Sequence, residues 1–148
     1  MKRSLQLRML ITISVIATSI ILFAFTTTPG GEGFEVYRNN KLLLQQFGND
    51  MKQVKTLQLE KLQSADILTI KYYHCGKTGK NRQIIVRNEH NTQLKNWQFT
   101  NLSSRDEGMS FHPSDIIKNG KNVSKVNVFY TSEEIPREKL LVMLQFRS

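Results

Sequence analysis

The strongest constraint on the fold is a succession of short runs in which apolar and polar residues alternate with period two, broken roughly every eight to twelve residues by turn-forming residues. Phe34-Glu35-Val36-Tyr37 and Leu42-Leu43-Leu44-Gln45-Gln46-Phe47 flank Arg38-Asn39-Asn40-Lys41, where asparagine tolerates the positive φ of a tight hairpin. In residues 67–75, Leu68, Ile70 and Tyr72 alternate with Thr69, Lys71 and Tyr73. Residues 82–87 and 93–99 flank Asn88-Glu89-His90-Asn91, a second hairpin signal, and the later run changes phase, predicting a bulge near Lys95-Asn96. Residues 54–59 and 126–130 add two more strands. Residues 140–146 are apolar on both faces, as expected of a strand inside a sheet.

One short helix, residues 113–118, is expected, with Pro113 at its first turn and Gly120 past its end. So many short strands and so little helix predict an all-β domain, a two-sheet antiparallel β-sandwich. Its core would be Val36, Leu44, Leu57, Leu59, Leu68, Ile70, Ile84, Val86, Trp97, Phe99, Val126, Val128, Leu140, Val142 and Leu144. In outline this resembles the immunoglobulin-like or C2-like exported sandwiches. There is no Cys…Trp…Cys framework and no aspartate-rich calcium loop, so the resemblance implies no site residue.

Ahead of the strands stands a different kind of segment. Residues 9–25 form a predominantly apolar run with no charged residue, preceded by Lys2, Arg3 and Arg8 and followed by Thr26-Thr27-Thr28-Pro29-Gly30-Gly31. Cations on the amino-terminal side alone predict a hydrophobic helix that either acts as a signal peptide or stays as a membrane anchor through residues 9–25. The chain then divides into residues 1–28, which direct export, and a domain of residues 29–148 that works in the periplasm or outside the cell. All twelve acidic residues lie in the exported part with eighteen of the twenty-one Lys and Arg, leaving a net charge of +6. Moderate positive charge without an arginine-rich tract, in an exported chain, argues against nucleic acid and favours an envelope glycan or protein partner.

Cys75 is the single cysteine, so no internal disulfide is possible and cohesion must come from packing. The densest chemistry lies between two strands at Tyr72-Tyr73-His74-Cys75-Gly76-Lys77-Thr78-Gly79-Lys80-Asn81-Arg82. A phosphate loop is excluded, because Asn81 follows Gly79-Lys80, His74 stands where the first glycine belongs, and a strand follows instead of a helix. The glycines are expected at positive φ in turns. The candidate site is anion- or ligand-binding: Lys77, Lys80 and Arg82 with His74, and Tyr73 as an outward ring fit for a carbohydrate platform.

No catalytic residue is assigned. His74 and Cys75, adjacent on a strand, would point to opposite faces. His74, His90 and His112 lie in separate segments without metal-ligand spacing, so no metal and no cofactor is expected. Asp106-Glu107 and Glu133-Glu134 read as solvated loop charge. The reading is a non-enzymatic exported binding or scaffolding module of the cell envelope; the alternative is a small envelope hydrolase using Cys75 or a His/acid constellation.

Overall fold

The structure, a computed structural model, describes residues 31–101, 107–119 and 123–147. The hydrophobic leader and Asp106 lie outside the described residues. Among those described, no helix is long and apolar enough to cross a membrane.

The described chain is all-β with two sheets. Its strands are β1 (Gly33–Arg38), β2 (Lys41–Phe47), β3 (Lys55–Glu60), β4 (Leu68–Tyr73), β5 (Arg82–Asn88), β6 (Gln93–Phe99), β7 (Met109–Phe111), β8 (Lys125–Thr131) and β9 (Lys139–Arg147), with a single α-helix, α1 (Ser114–Asn119), and a 3₁₀ turn over Gly48–Lys52. One sheet has the order β2-β1-β4-β7, the other β3-β9-β8-β5-β6. Both expected hairpins form. Asn39 and Asn40 take φ of 51° and 66° between β1 and β2, the mirror-image turn that matches strand twist. Between β5 and β6, the Asn88 side-chain oxygen accepts from the amides of His90 (3.0 Å) and Thr92 (2.8 Å).

Two expectations, antiparallel pairing throughout and the inward phase of Leu140, are corrected. The sheets are not wholly antiparallel, since β3 runs parallel to β9 from Lys55↔Val142 to Glu60↔Arg147. β9 therefore lies between β3 and β8, which explains its two apolar faces. The bulge expected near Lys95-Asn96 is present in β6, at the adjacent Leu94, where register jumps from Val86↔Lys95 to Arg87↔Gln93. A bulge in β9 skips Leu141 between Val128↔Val142 and Phe129↔Leu140. That extra residue changes the strand's phase, so Leu141 and Val142 are buried, while the expected core residue Leu140 is only half-buried.

The inner faces of both sheets meet in one core. Phe34, Val36, Leu68, Ile70, Tyr72, Met109 and Phe111 face Leu59, Ile84, Val86, Val126, Val128, Tyr130, Leu141, Val142 and Leu144, with Ile116 of α1 closing one side. Leu44, Leu57, Trp97 and Phe99 pack against this core half-buried. Trp97 stacks on Phe111 with ring centres 4.5 Å apart. The three-residue β7 is too short to show a period, and so was not legible as a strand. Each fully buried Ile, Leu, Val or Phe contributes about 1.5–3 kcal/mol of transfer free energy.

A polar clasp holds one end of the domain. The buried Asp66, in the β3–β4 connection, accepts from Arg38 (2.7 Å), the Asn39 side chain (2.6 Å) and the Gln63 amide (2.8 Å). Arg38 also donates to the carbonyls of Glu60 and Lys61 (3.0 and 3.2 Å). These bonds tie the β1–β2 turn to the connection leaving β3. The Gln63 amide, then Arg38 and Asn39, pull the Asp66 pKa from 3.8 down to about 2. An acid depressed in the folded state stabilises it above the unfolded pKa and loses that contribution as pH falls through the folded one. The urea midpoint of the parent should therefore drop between pH 4 and pH 2. Asp66→Asn should lower the midpoint at pH 6 and flatten the dependence across that acid window, as read by urea titrations at each pH.

Candidate ligand-binding face

Strand phase decides which side chains meet a ligand. In β4, Leu68, Ile70 and Tyr72 point into the core, so Thr69, Lys71 and Tyr73 point out of the four-stranded sheet. In β1 the same logic buries Phe34 and Val36 and turns out Glu35 and Tyr37. Cross-strand register then lays Glu35 beside Lys71, Gly33 beside Tyr73 and Tyr37 beside Thr69. β2 adds Phe47 opposite Gly33 and Gln45 opposite Glu35.

These residues form one connected array on the outer face. The hydroxyls of Tyr37 and Tyr73 both donate to the same Glu35 carboxylate oxygen, Oε2, each at 2.7 Å. The Lys71 ammonium lies 5.4 Å from the centre of the Tyr37 ring, in cation–π range. The Phe47 ring lies across Gly33, where a Cβ would stand 2.0 Å from its Cδ1, so only glycine fits beneath it. Phe47 also meets Tyr73 with ring centres 5.6 Å apart. Three half-buried rings thus lie on a sheet surface around a carboxylate and an ammonium. The phase of Tyr73 was legible in the sequence; Glu35, Tyr37 and Phe47 were missed, although Glu35 and Tyr37 share the phase opposite Phe34 and Val36.

The remaining sequence candidates are not gathered with Tyr73. His74 continues the inward phase of β4, and its Nε2 lies 2.8 Å from the Tyr130 hydroxyl. Burial lowers the His74 pKa, which favours the neutral ring. Arg82 is only 2% exposed. Its Nε and Nη2 donate to the Thr100 carbonyl (3.1 and 2.9 Å) and its Nη1 to the Glu107 carbonyl (3.2 Å), so it clamps backbone inside the domain. Lys77 and Lys80 are exposed. Two acids stand beside them: Glu134 accepts from the Lys80 amide (3.1 Å), and Glu133 accepts from the Asn81 side chain. Burial works to raise the Glu134 pKa, but the amide bonds and the Ser132 hydroxyl outweigh it and the pKa falls below the usual carboxylate value. Glu133-Glu134 is thus part of the loop's framework.

The other titratable candidates are dispersed. Cys75 is exposed at the second position of the turn closed by the Lys77 amide on the His74 carbonyl (3.3 Å). His112 Nδ1 contacts the Asp66 carbonyl at 3.0 Å, and His90 is exposed in the β5–β6 loop. Among the described residues no three His, Cys, Asp or Glu side chains converge as metal ligands. No protein-family model matches the chain, and no curated protein is significantly similar to it.

The loop's two inner glycines differ. Gly76 takes φ of 73° in the turn, as expected. Gly79 does not; it is glycine because a Cβ there would lie 2.7 Å from His74 Nε2 and 2.9 Å from Arg82 Cδ. Gly76→Ala should cost about 1–2 kcal/mol, the left-handed penalty of an L-residue. Gly79→Ala should cost more, about 1–3 kcal/mol, because it displaces two packed and hydrogen-bonded side chains. Denaturation midpoints should rank parent, Gly76→Ala, Gly79→Ala, and only the last should shift the His74 ring resonances.

Proposed function

We propose that this chain is an exported, non-enzymatic binding module of β-sandwich architecture, immunoglobulin-like or C2-like in outline, whose outer four-stranded face takes a glycan of the cell envelope. Residues 9–25 deliver it across the membrane and either tether it there or are removed. The observation that carries the reading is the pair of tyrosine hydroxyls converging on Glu35 beside Lys71 and Phe47. Sugar rings offer apolar C–H faces and fixed hydroxyls together. Rings set by a rigid sheet stack on the first, while a carboxylate and an ammonium take the second. Nothing needs to move for binding, since the Glu35 carboxylate already orients both tyrosines and ordering costs are small.

The loop cations fit the reading less well. Arg82 is committed to backbone carbonyls, and Lys80 sits beside Glu133 and Glu134. A site built only from Lys77 and Lys80 would gain little from exposed, salt-screened charge.

The full chain should be retarded in affinity electrophoresis through at least one soluble polysaccharide from a panel of neutral and carboxylated polymers. Tyr37→Ala and Tyr73→Ala should each weaken that retardation by roughly tenfold, equivalent to about 1.4 kcal/mol. Tyr73→Phe, which keeps the ring and loses the bond to Glu35, should fall between. Lys77→Gln with Lys80→Gln should have little effect. Absence of retardation across the panel, or equal retardation of the parent and both alanine variants, would remove the face as a glycan site.

A further inference from the structure

At the end of the domain held by the Asp66 clasp, the ends of β3 and β9, the start of β8 and α1 surround a cleft of about 650 Å³, within the roughly 300–1,000 Å³ of small-molecule sites. Leu62, Ile117, Val123 and Phe146 give it apolar walls, and Lys61 and Arg147 stand at its rim. Ile117 is 39% exposed here, one of few large apolar residues so open to solvent. Leu62, Val123 and Phe146 back onto the core, so the walls are held in place. Among the described residues, neither Lys61 nor Arg147 has an ion-pair partner, although Glu60 is the register neighbour of Arg147.

Lys61 carries a second, independent mark. It adopts a left-handed backbone, φ 49°, and every other non-glycine residue at positive φ in the described chain is asparagine: Asn39, Asn40, Asn81 and Asn91. Asparagine and glycine enter this region with little strain; lysine does not. The conformation is enforced, because Arg38 holds the carbonyls of Glu60 and Lys61 from the clasp. Lysine thus stands where asparagine or glycine would be less strained, with its ammonium at the cleft.

From the pairing of apolar walls with two unpaired cations, we infer that this cleft binds a single-chain acidic amphiphile, an aliphatic chain with one carboxylate. The chain lies between Leu62, Ile117 and Phe146, and the carboxylate meets Lys61 and Arg147. Apolar burial supplies the affinity, and the two cations select the acid over its uncharged ester. This site lies at the end of the domain away from the Gly33–Tyr73 pair, and it stands whether or not the outer face binds glycan.

The test uses the full chain in phosphatidylcholine nanodiscs with a diazirine-bearing palmitic acid, crosslinks being mapped by mass spectrometry. Labelling of residues 9–25 serves as an internal reference for non-specific partition. Crosslinks are expected on peptides bearing Leu62, Ile117 or Phe146. Relative to the reference, they should fall at least fivefold in Lys61→Gly, in Arg147→Gln, and when the methyl ester replaces the acid. The same Lys61→Gly variant should melt roughly 2–5 °C higher than the parent, because glycine relieves the left-handed strain, which separates loss of binding from loss of fold. Labelling confined to the leader would overturn the proposal, as would cleft labelling equal in parent, variants and ester. Labelling that requires phosphatidylglycerol in the disc would make the cleft a bilayer contact and overturn the amphiphile assignment. A lower melting temperature for Lys61→Gly would overturn the argument from strain.

Discussion

The stack of Tyr72 on Tyr130 is the contact from which much of the domain's arrangement follows. One ring comes from β4 of the four-stranded sheet and the other from β8 of the five-stranded sheet. Their centres lie 4.2 Å apart with planes 13° from parallel. With a single cysteine in the chain, the sheets are joined by packing, and this pair adds about 0.5–1.5 kcal/mol beyond its buried area. Both hydroxyls are satisfied: Tyr72 donates to Glu32, and Tyr130 pairs with His74. Burial raises both phenol pKa values, that of Tyr130 to about 12, so both remain protonated through the physiological range. Glu32 is held in turn by Lys139 at 2.9 Å. Burial would raise the Glu32 pKa, yet the bonds from Tyr72 and Lys139 prevail and lower it.

Fixing Tyr72 inward has a consequence on the opposite surface. A strand has no freedom to bury residue 72 without turning out residues 71 and 73. The interior stack therefore sets Lys71 and Tyr73 on the outer face, and pairing of β4 with β1 places them against Glu35 and Gly33. Continuing the same phase sends His74 back inward, where Gly79 leaves room for its ring. The proposed ligand face and the satisfied interior network are two sides of one constraint.

Period two made most strands legible, because a half-buried sheet writes its register into every second residue. The same period held more than was read from it. Arg82 shares the phase of Ile84 and Val86, which places it inside, yet its charge and its position after a loop suggested a surface cation. What period two cannot carry is pairing between strands distant in sequence. Nothing local in Lys55–Glu60 distinguishes a parallel neighbour from an antiparallel one. Bulges are likewise set by twist and by fit to the facing sheet, so the inward turn of Leu141 in place of Leu140 was hidden. Gly79 was legible as glycine but not as a packing requirement, since that requirement belongs to His74 and Arg82 once folded.

The two ends of the domain satisfy their buried polar groups alike, but with different consequences for the backbone beside them. Around Tyr72 and Tyr130, burial comes with partners: Glu32 has Lys139, His74 has Tyr130, and Arg82 has three bonds to carbonyls. Around Asp66 the clasp is equally complete, and Arg38 is drawn wholly into it. Its completeness fixes the carbonyls of Glu60 and Lys61, and with them a left-handed lysine at the mouth of an apolar cleft. A satisfied network can thus enforce an unfavourable backbone next to it, because relaxing Lys61 would break the two charge-assisted bonds from Arg38 to the Glu60 and Lys61 carbonyls, which costs more than the strain itself. Strain held in this way, beside two cations that have no ion-pair partner among the described residues and beside apolar walls open to solvent, marks a region that the fold does not optimise for its own stability.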